Sequence, residues 1–133
     1  MHPALPLGVP EMDADHAALE AMLDRVPHTR DEDLPALYAA IEAEVTSHFA
    51  REDVLMEAAR VPVLDCHRIR HRELLDAIAA RRPTERTSPD ALRRTFAELA
   101  EAVTAHVDTV DRVTSRFLIA ATAAPLEPAQ AVG

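Results

Sequence analysis

Six side chains able to hold protons or metal ions sit where an amphipathic helix would place Leu or Ile: His16, His48, Glu52, His67, His71 and His106. An unpartnered imidazole or carboxylate in a core costs about 2–7 kcal/mol. One such residue reads most simply as a hydrogen-bonded core histidine; six together ask for a shared partner. Their spacing suits metal ligation. His48-Phe49-Ala50-Arg51-Glu52 and His67-Arg68-Ile69-Arg70-His71 each place two donors one turn apart on a single helix face. Asp111 follows His106 by five positions, which a regular helix would rotate about 140° away. For Asp111 to join His106, the helix must carry a π-bulge or unwind locally between them, a feature frequent at functional sites.

These donors outnumber the needs of one zinc ion, which usually takes about four ligands. Two metal ions suit them better, and nitrogen and oxygen donors suit octahedral iron. Of about twelve positions on two such ions, the imidazoles, two bridging carboxylates and a shared oxo or hydroxo group fill about eleven. About one position stays open, on the ion with fewer histidines. That is room for a small diatomic molecule or anion, not for an organic substrate. No histidine follows a glutamate by three positions, which sets aside the ferritin-like di-iron pattern built on Glu-x-x-His. Manganese or mixed metals would satisfy the same ligand types.

The elements that must position these residues are helices. The chain has 26 Ala and 14 basic residues, all Arg, both strong helix formers. Its 2 glycines are too few for the tight turns of an all-β fold. Residues 1–11, with three prolines, read as an N-terminal extended arm. A first helix is expected from Met12 or Asp13 to about Arg25, with His16, Leu19, Met22 or Leu23 and Val26 inward. Asp33 is the expected N-cap of a second helix, with Pro35 in its first turn. That helix runs to about Arg60 and turns Leu37, Ile41, Val45, His48, Glu52, Leu55 and Ala59 inward. After the break at Pro62, a third runs from about 63 to 81 on Leu64, His67, His71, Leu74 and Ile78. Ser88-Pro89 opens a fourth, carrying Leu92, Phe96, Leu99, Val103, His106, Val110 and Phe117 and fading near Ala121. Residues 122–133 read as a flexible tail. Four amphipathic helices with short connections predict an all-α, up-down antiparallel four-helix bundle over 12–121. In that topology the donors of all four helices fall at one height and converge.

A net charge of −9 disfavours nucleic-acid binding, since no excess cation is present to displace phosphate counterions. No apolar run reaches membrane-spanning length, and a single cysteine, Cys66, fits a reducing compartment. The expected location is the cytoplasm. Met22, Met56 and Cys66 are expected to pack in the core, and Tyr38 to be structural. His2, His28, Arg68, Arg70 and Arg72 are expected to be solvated. Asp13, Asp15 and Glu44 are candidates to orient ligand imidazoles from behind.

Four motifs in order, Met12-Asp13-Ala14-Asp15-His16, His48 to Met56, His67 to His71 and His106-Val107-Asp108-Thr109-Val110-Asp111, resemble the hemerythrin family. The likeness is to its single-domain bacterial members and their HHE cation-binding domain, over about residues 7 to 118. The resemblance implies two non-haem iron ions with an oxo or hydroxo bridge. His67, His71 and His106 would hold the coordinatively full iron, His16 and His48 the one with the open position, and Glu52 and Asp111 would bridge. It implies an O2-binding protein rather than an enzyme, taking O2 reversibly as a hydroperoxide for storage, delivery or sensing. The chain is expected to be a monomer served by an unidentified electron donor. Two alternatives stand beside this: a di-iron redox enzyme acting on nitric oxide, peroxide or O2, and a module whose metal state regulates a partner. Phe49 and Val103 match positions lining the family's oxygen pocket. With no Trp, and with Ala102 and Val103 where larger apolar groups are common, easier water entry and faster oxidation to the inert diferric state are expected.

Overall fold

The computed structural model describes residues 6–123. Five α-helices occur: α1 (Pro10–Asp24), α2 (Leu34–Ala58), α3 (Leu64–Ala80), α4 (Pro89–His106) and α5 (Arg112–Ala123). A π-helical turn, Val107–Asp111, joins α4 and α5 into one long rod. There is no strand among the described residues, and no helix among them is long and apolar enough to cross a membrane.

Contacts between distant residues define the topology. Tyr38, early in α2, donates its hydroxyl to the carbonyl of Ile78, late in α3, at 2.7 Å. Its ring meets Phe96 of α4 edge-on at 5.5 Å. Towards the other end of α2, His48 lies 3.1 Å from Asp15 of α1, and Glu52 lies 3.1 Å from His67 of α3. Along α1–α2 and α2–α3 starts lie against ends, and early α2 meets early α4, so the four rods run up and down as an antiparallel bundle. Leu19, Leu23, Leu37, Ile41, Ile78 and Leu92 fill the apolar half of its interior; the polar donors occupy the other.

Sequence expectations and structure part at several boundaries. α1 begins at Pro10, inside the expected arm, because Leu7 and Val9 are buried and fold back onto the bundle. The amides of Leu7 and Gly8 donate to the Asp13 carboxylate at 2.8 and 3.2 Å. Gly8 sits at φ +88°, and a Cβ there would stand 3.2 Å from Cδ1 of Ile119 on α5. Residues 1–5, and the tail beyond Ala123, lie outside the described residues. Asp33 holds the N-cap position of α2, as expected, but its side chain makes no capping hydrogen bond: it ends a 3-10 turn over Asp31–Asp33 with helical backbone angles and accepts from Arg30 Nε at 3.3 Å. Ser88 does cap α4, its Oγ accepting from the Ala91 amide at 3.1 Å. α2 closes with Arg60 at φ +53°, its amide donating to Glu57 and that of Val61 to Met56, both at 3.1 Å. This is a left-handed helix cap in which Arg stands where Gly is favoured.

The largest difference follows the π turn. Its extra residue advances the buried face of α5 by one position, so Val107, Asp111, Thr114, Ser115 and Leu118 are buried. Phe117, expected inward, is 38% exposed, and Val110 is only half-buried. Leu55 and Ala59 are likewise half-buried, Met56 taking the fully buried place. Cys66 is exposed rather than in the core; one step before His67 on a helix turns it about 100° away from the buried stripe.

Candidate metal centre

α1 contributes His16, α2 His48 and Glu52, α3 His67 and His71, α4 His106 and the π turn Asp111. All seven are buried, Asp111 completely. The π turn brings Asp111 round to the face of His106: its Oδ1 lies 3.1 Å from His106 Nε2. Every imidazole turns Nε2 inward. His48 Nε2 lies 2.8 Å from Glu52 Oε2, and those of His67 and His71 lie 3.1 Å from Glu52 Oε1. His16 Nε2 lies 3.0 Å from Asp111 Oδ2.

Behind these rings stand partners on Nδ1. Thr114 Oγ1 is 2.6 Å from His67 Nδ1, a hydrogen bond. Asp15 is 3.1 Å from His48 Nδ1 and Asp53 is 3.3 Å from His71 Nδ1. Both of these are ion-pair distances off the hydrogen-bond axis, for neither Nδ1 has a hydrogen-bond partner. Of the three acids expected to orient imidazoles, only Asp15 faces one. Asp13 holds the arm, and Glu44 accepts from Arg51 at 3.0 Å. Thr114 and Asp53 escaped the sequence reading. Thr114 faces inward only in the frame set by the π turn, and Asp53 beside Glu52 carried no signal of its own.

The electrostatics follow from crowding imidazoles around two carboxylates. Burial opposes charging His16, but Asp111 and Glu52 outweigh it and push the imidazole up to about 9. The same balance takes His67 up to about 9. His48 is raised less, its burial offset mainly by Glu52. His71 is lowered, chiefly by burial, with the neighbouring His67 and His106 adding to it. Burial would raise Glu52 and Asp111, yet the surrounding histidines hold both well below the ordinary carboxylate range.

The donor set fits metal ions. Glu52 Oε2, Asp111 Oδ1 and His106 Nε2 are buried and make no hydrogen bond, an arrangement that costs free energy unless a cation or protons answer it. The donor atoms form two groups, each with all atoms within 4.8 Å: Glu52, His67, His71, His106 and Asp111, and His16, His48, Glu52 and Asp111. The groups share both carboxylates.

Phe49 and Val103 are each 4% exposed. Phe49 stacks face to face on His71 at 3.8 Å and lies 5.4 Å from the rings of both His48 and His106. Ala102 does not join this inner wall. It is exposed and faces a groove of about 710 Å³ between α3 and the α4–α5 rod, which also touches His67 and His106.

Comparison with known proteins agrees with this geometry. A family model described as the hemerythrin HHE cation binding domain matches residues 7–117. The chain is 39% identical over 119 residues to a protein named Bacteriohemerythrin from Ralstonia nicotianae, a match covering 86% of this chain and 85% of that one. No solved structure matches the chain significantly.

Proposed function

Because the chain belongs to the hemerythrin family, we propose that it is a non-haem di-iron protein that binds O2 reversibly at one open metal position. The observation that carries this reading is the pair of donor groups overlapping in Glu52 and Asp111. His67, His71 and His106 would hold one ion and His16 and His48 the other, with Glu52 and Asp111 within reach of both. Bound iron supplies two electrons and the open position for O2. The chain's own residues set where that position falls. Three imidazoles stand on one side and two on the other, so the open coordination position would fall on the His16–His48 side. Thr114 on His67, with Asp15 and Asp53 facing His48 and His71, holds Nδ1 outward and leaves Nε2 free to ligate. Phe49, stacked on His71, and Val103 exclude water from the interior side.

One observation favours the redox alternative. The groove lined by Ala102 and Ala105 brings solvent close to His67 and His106, and wetter ligands favour oxidation over reversible binding. A single experiment separates the two readings. Iron-loaded protein, with two irons per chain confirmed, is reduced anaerobically and exposed to O2 while visible absorption is recorded. A band that forms with O2 and fades when O2 is removed supports reversible binding. Direct passage to the oxidised spectrum, with no reversible band, supports redox turnover instead.

A further inference from the structure

The two halves of the centre are supported differently from behind. On the two-histidine side, Arg51 grips Asp15 with both arms of its guanidinium, Nε to Oδ2 at 2.9 Å and Nη2 to Oδ1 at 2.7 Å. Its Nη2 also donates to Glu44 at 3.0 Å. The two bonds of this fork leave the Asp15 carboxylate little freedom, and the third, to Glu44, steadies the guanidinium. Asp15 Oδ2, so held, faces the buried Nδ1 of His48 at 3.1 Å. On the three-histidine side the corresponding chain is slack. Arg68 approaches Asp53 no closer than 3.9 Å, and Asp53 lies 3.3 Å from His71 Nδ1. Arg68 is also engaged by Glu57 at 3.2 Å.

We propose that Arg51 is a positioning residue, clamping Asp15 against His48 so that the two-histidine metal site, and not the three-histidine one, depends on a surface ion pair. The inference rests on the two-metal reading above and deepens it. His48 is held in α2 one turn from Glu52, but its ring can still rotate about its side-chain bonds. The clamped carboxylate opposes that rotation through its charge, 3.1 Å from Nδ1, which attracts the N–H dipole. The same charge favours the tautomer with its proton on Nδ1 and the lone pair on Nε2, the form a metal needs. His16 meets Glu52 and Asp111 through Nε2, at 3.6 and 3.0 Å. His48 thus faces a carboxylate at both ring nitrogens, Glu52 at Nε2 and Asp15 at Nδ1, and Arg51, 49% exposed, holds the outer one.

The test is a Co²⁺ titration of the metal-free full chain, following visible absorption, for wild type, Arg51→Met, Arg51→Lys and Arg68→Met. Wild type takes up two equivalents. In Arg51→Met the first equivalent binds as in wild type and the second about tenfold more weakly, the low end of the effect of losing an outer-shell partner. Arg51→Lys, which keeps the charge but loses the fork, recovers part of the loss, and Arg68→Met leaves both equivalents as they were. A general loss of folding would weaken both equivalents together, and that result overturns the proposal. So does wild-type binding in Arg51→Met, or an equal effect from Arg68→Met. If wild type itself takes up fewer than two equivalents, the two-metal reading fails and the inference falls with it.

Discussion

Raising the pH from 6 to 9 should destabilise the metal-free protein. His16 and His67 titrate near 9 when folded, against an ordinary value of 6.5. The folded state therefore holds their protons more tightly than the unfolded chain. The contribution is complete below about pH 6.5 and is lost as pH rises through about 9. At about 1.4 kcal/mol per unit of difference, one such histidine is worth on the order of 3 kcal/mol. Both together should be worth less than twice that, because they share Glu52 and Asp111 and the second proton meets a carboxylate already partly answered. The carboxylates act in the opposite direction. Held well below their ordinary values, they contribute above about pH 4.5 and fail as pH falls further. His71, held below its ordinary value chiefly by burial, costs stability as pH falls through 6.5, so metal-free stability should peak towards the upper end of the range from about pH 4.5 to 6.5. Urea unfolding with chelator present, at a series of pH values and with the slope checked for constancy, measures the effect. Metal binding should show the reverse trend, tightening with pH, because the ion competes with these same protons. Metal-free stability that is flat or rises from pH 6 to 9 would refute the picture of protonated histidines standing in for metal.

Three further outcomes follow from single residues. Val103→Leu adds bulk to the inner wall and should slow oxidation of the reduced, iron-loaded protein in air; an unchanged or faster rate in stopped flow counts against the water-exclusion argument. Thr114→Val removes the 2.6 Å hydrogen bond to His67 Nδ1 and should cost about 1–3 kcal/mol of metal-free stability, with denaturant unfolding as the check. Arg60→Gly relieves a left-handed residue at φ +53° and should raise stability by about 1 kcal/mol, leaving metal stoichiometry unchanged; a lower midpoint would show that the Arg60 side chain contributes more than the backbone costs.

The convergence of these residues is legible in the sequence because polar residues on an apolar stripe are expensive, and six of them together ask for a shared partner. The π turn was legible for a related reason: a spacing of five between His106 and Asp111 is incompatible with a regular helix if both face inward. Its downstream effect is harder to read. The period of three to four that places His106 points to Phe117 if it continues unbroken, whereas the extra residue of the π turn moves the frame to Leu118. Cys66 has the residue type of a core position, but its neighbour His67 takes the buried direction. Asp33 has the type of a cap but lies inside a 3-10 turn, and its carboxylate answers Arg30. Arg51 could not be read at all. Its role depends on Asp15, 36 positions earlier and on another helix, and no local pattern records that proximity.

His16 and Asp111 meet at 3.0 Å across a separation of 95 positions, and the other donors are spread between them. A centre that gathers α1, α2, α3 and the α4–α5 rod is also a cross-link, closing long loops whose entropy must be lost before the last donor arrives. The full set cannot be assembled until all four rods have docked, so the contacts that complete it belong to the end of the folding reaction. Interactions absent from the transition state leave the rate of folding nearly unchanged and slow unfolding. Loading the centre should therefore be felt as persistence of the native state: a chain that folds at its own pace and then stays folded for far longer.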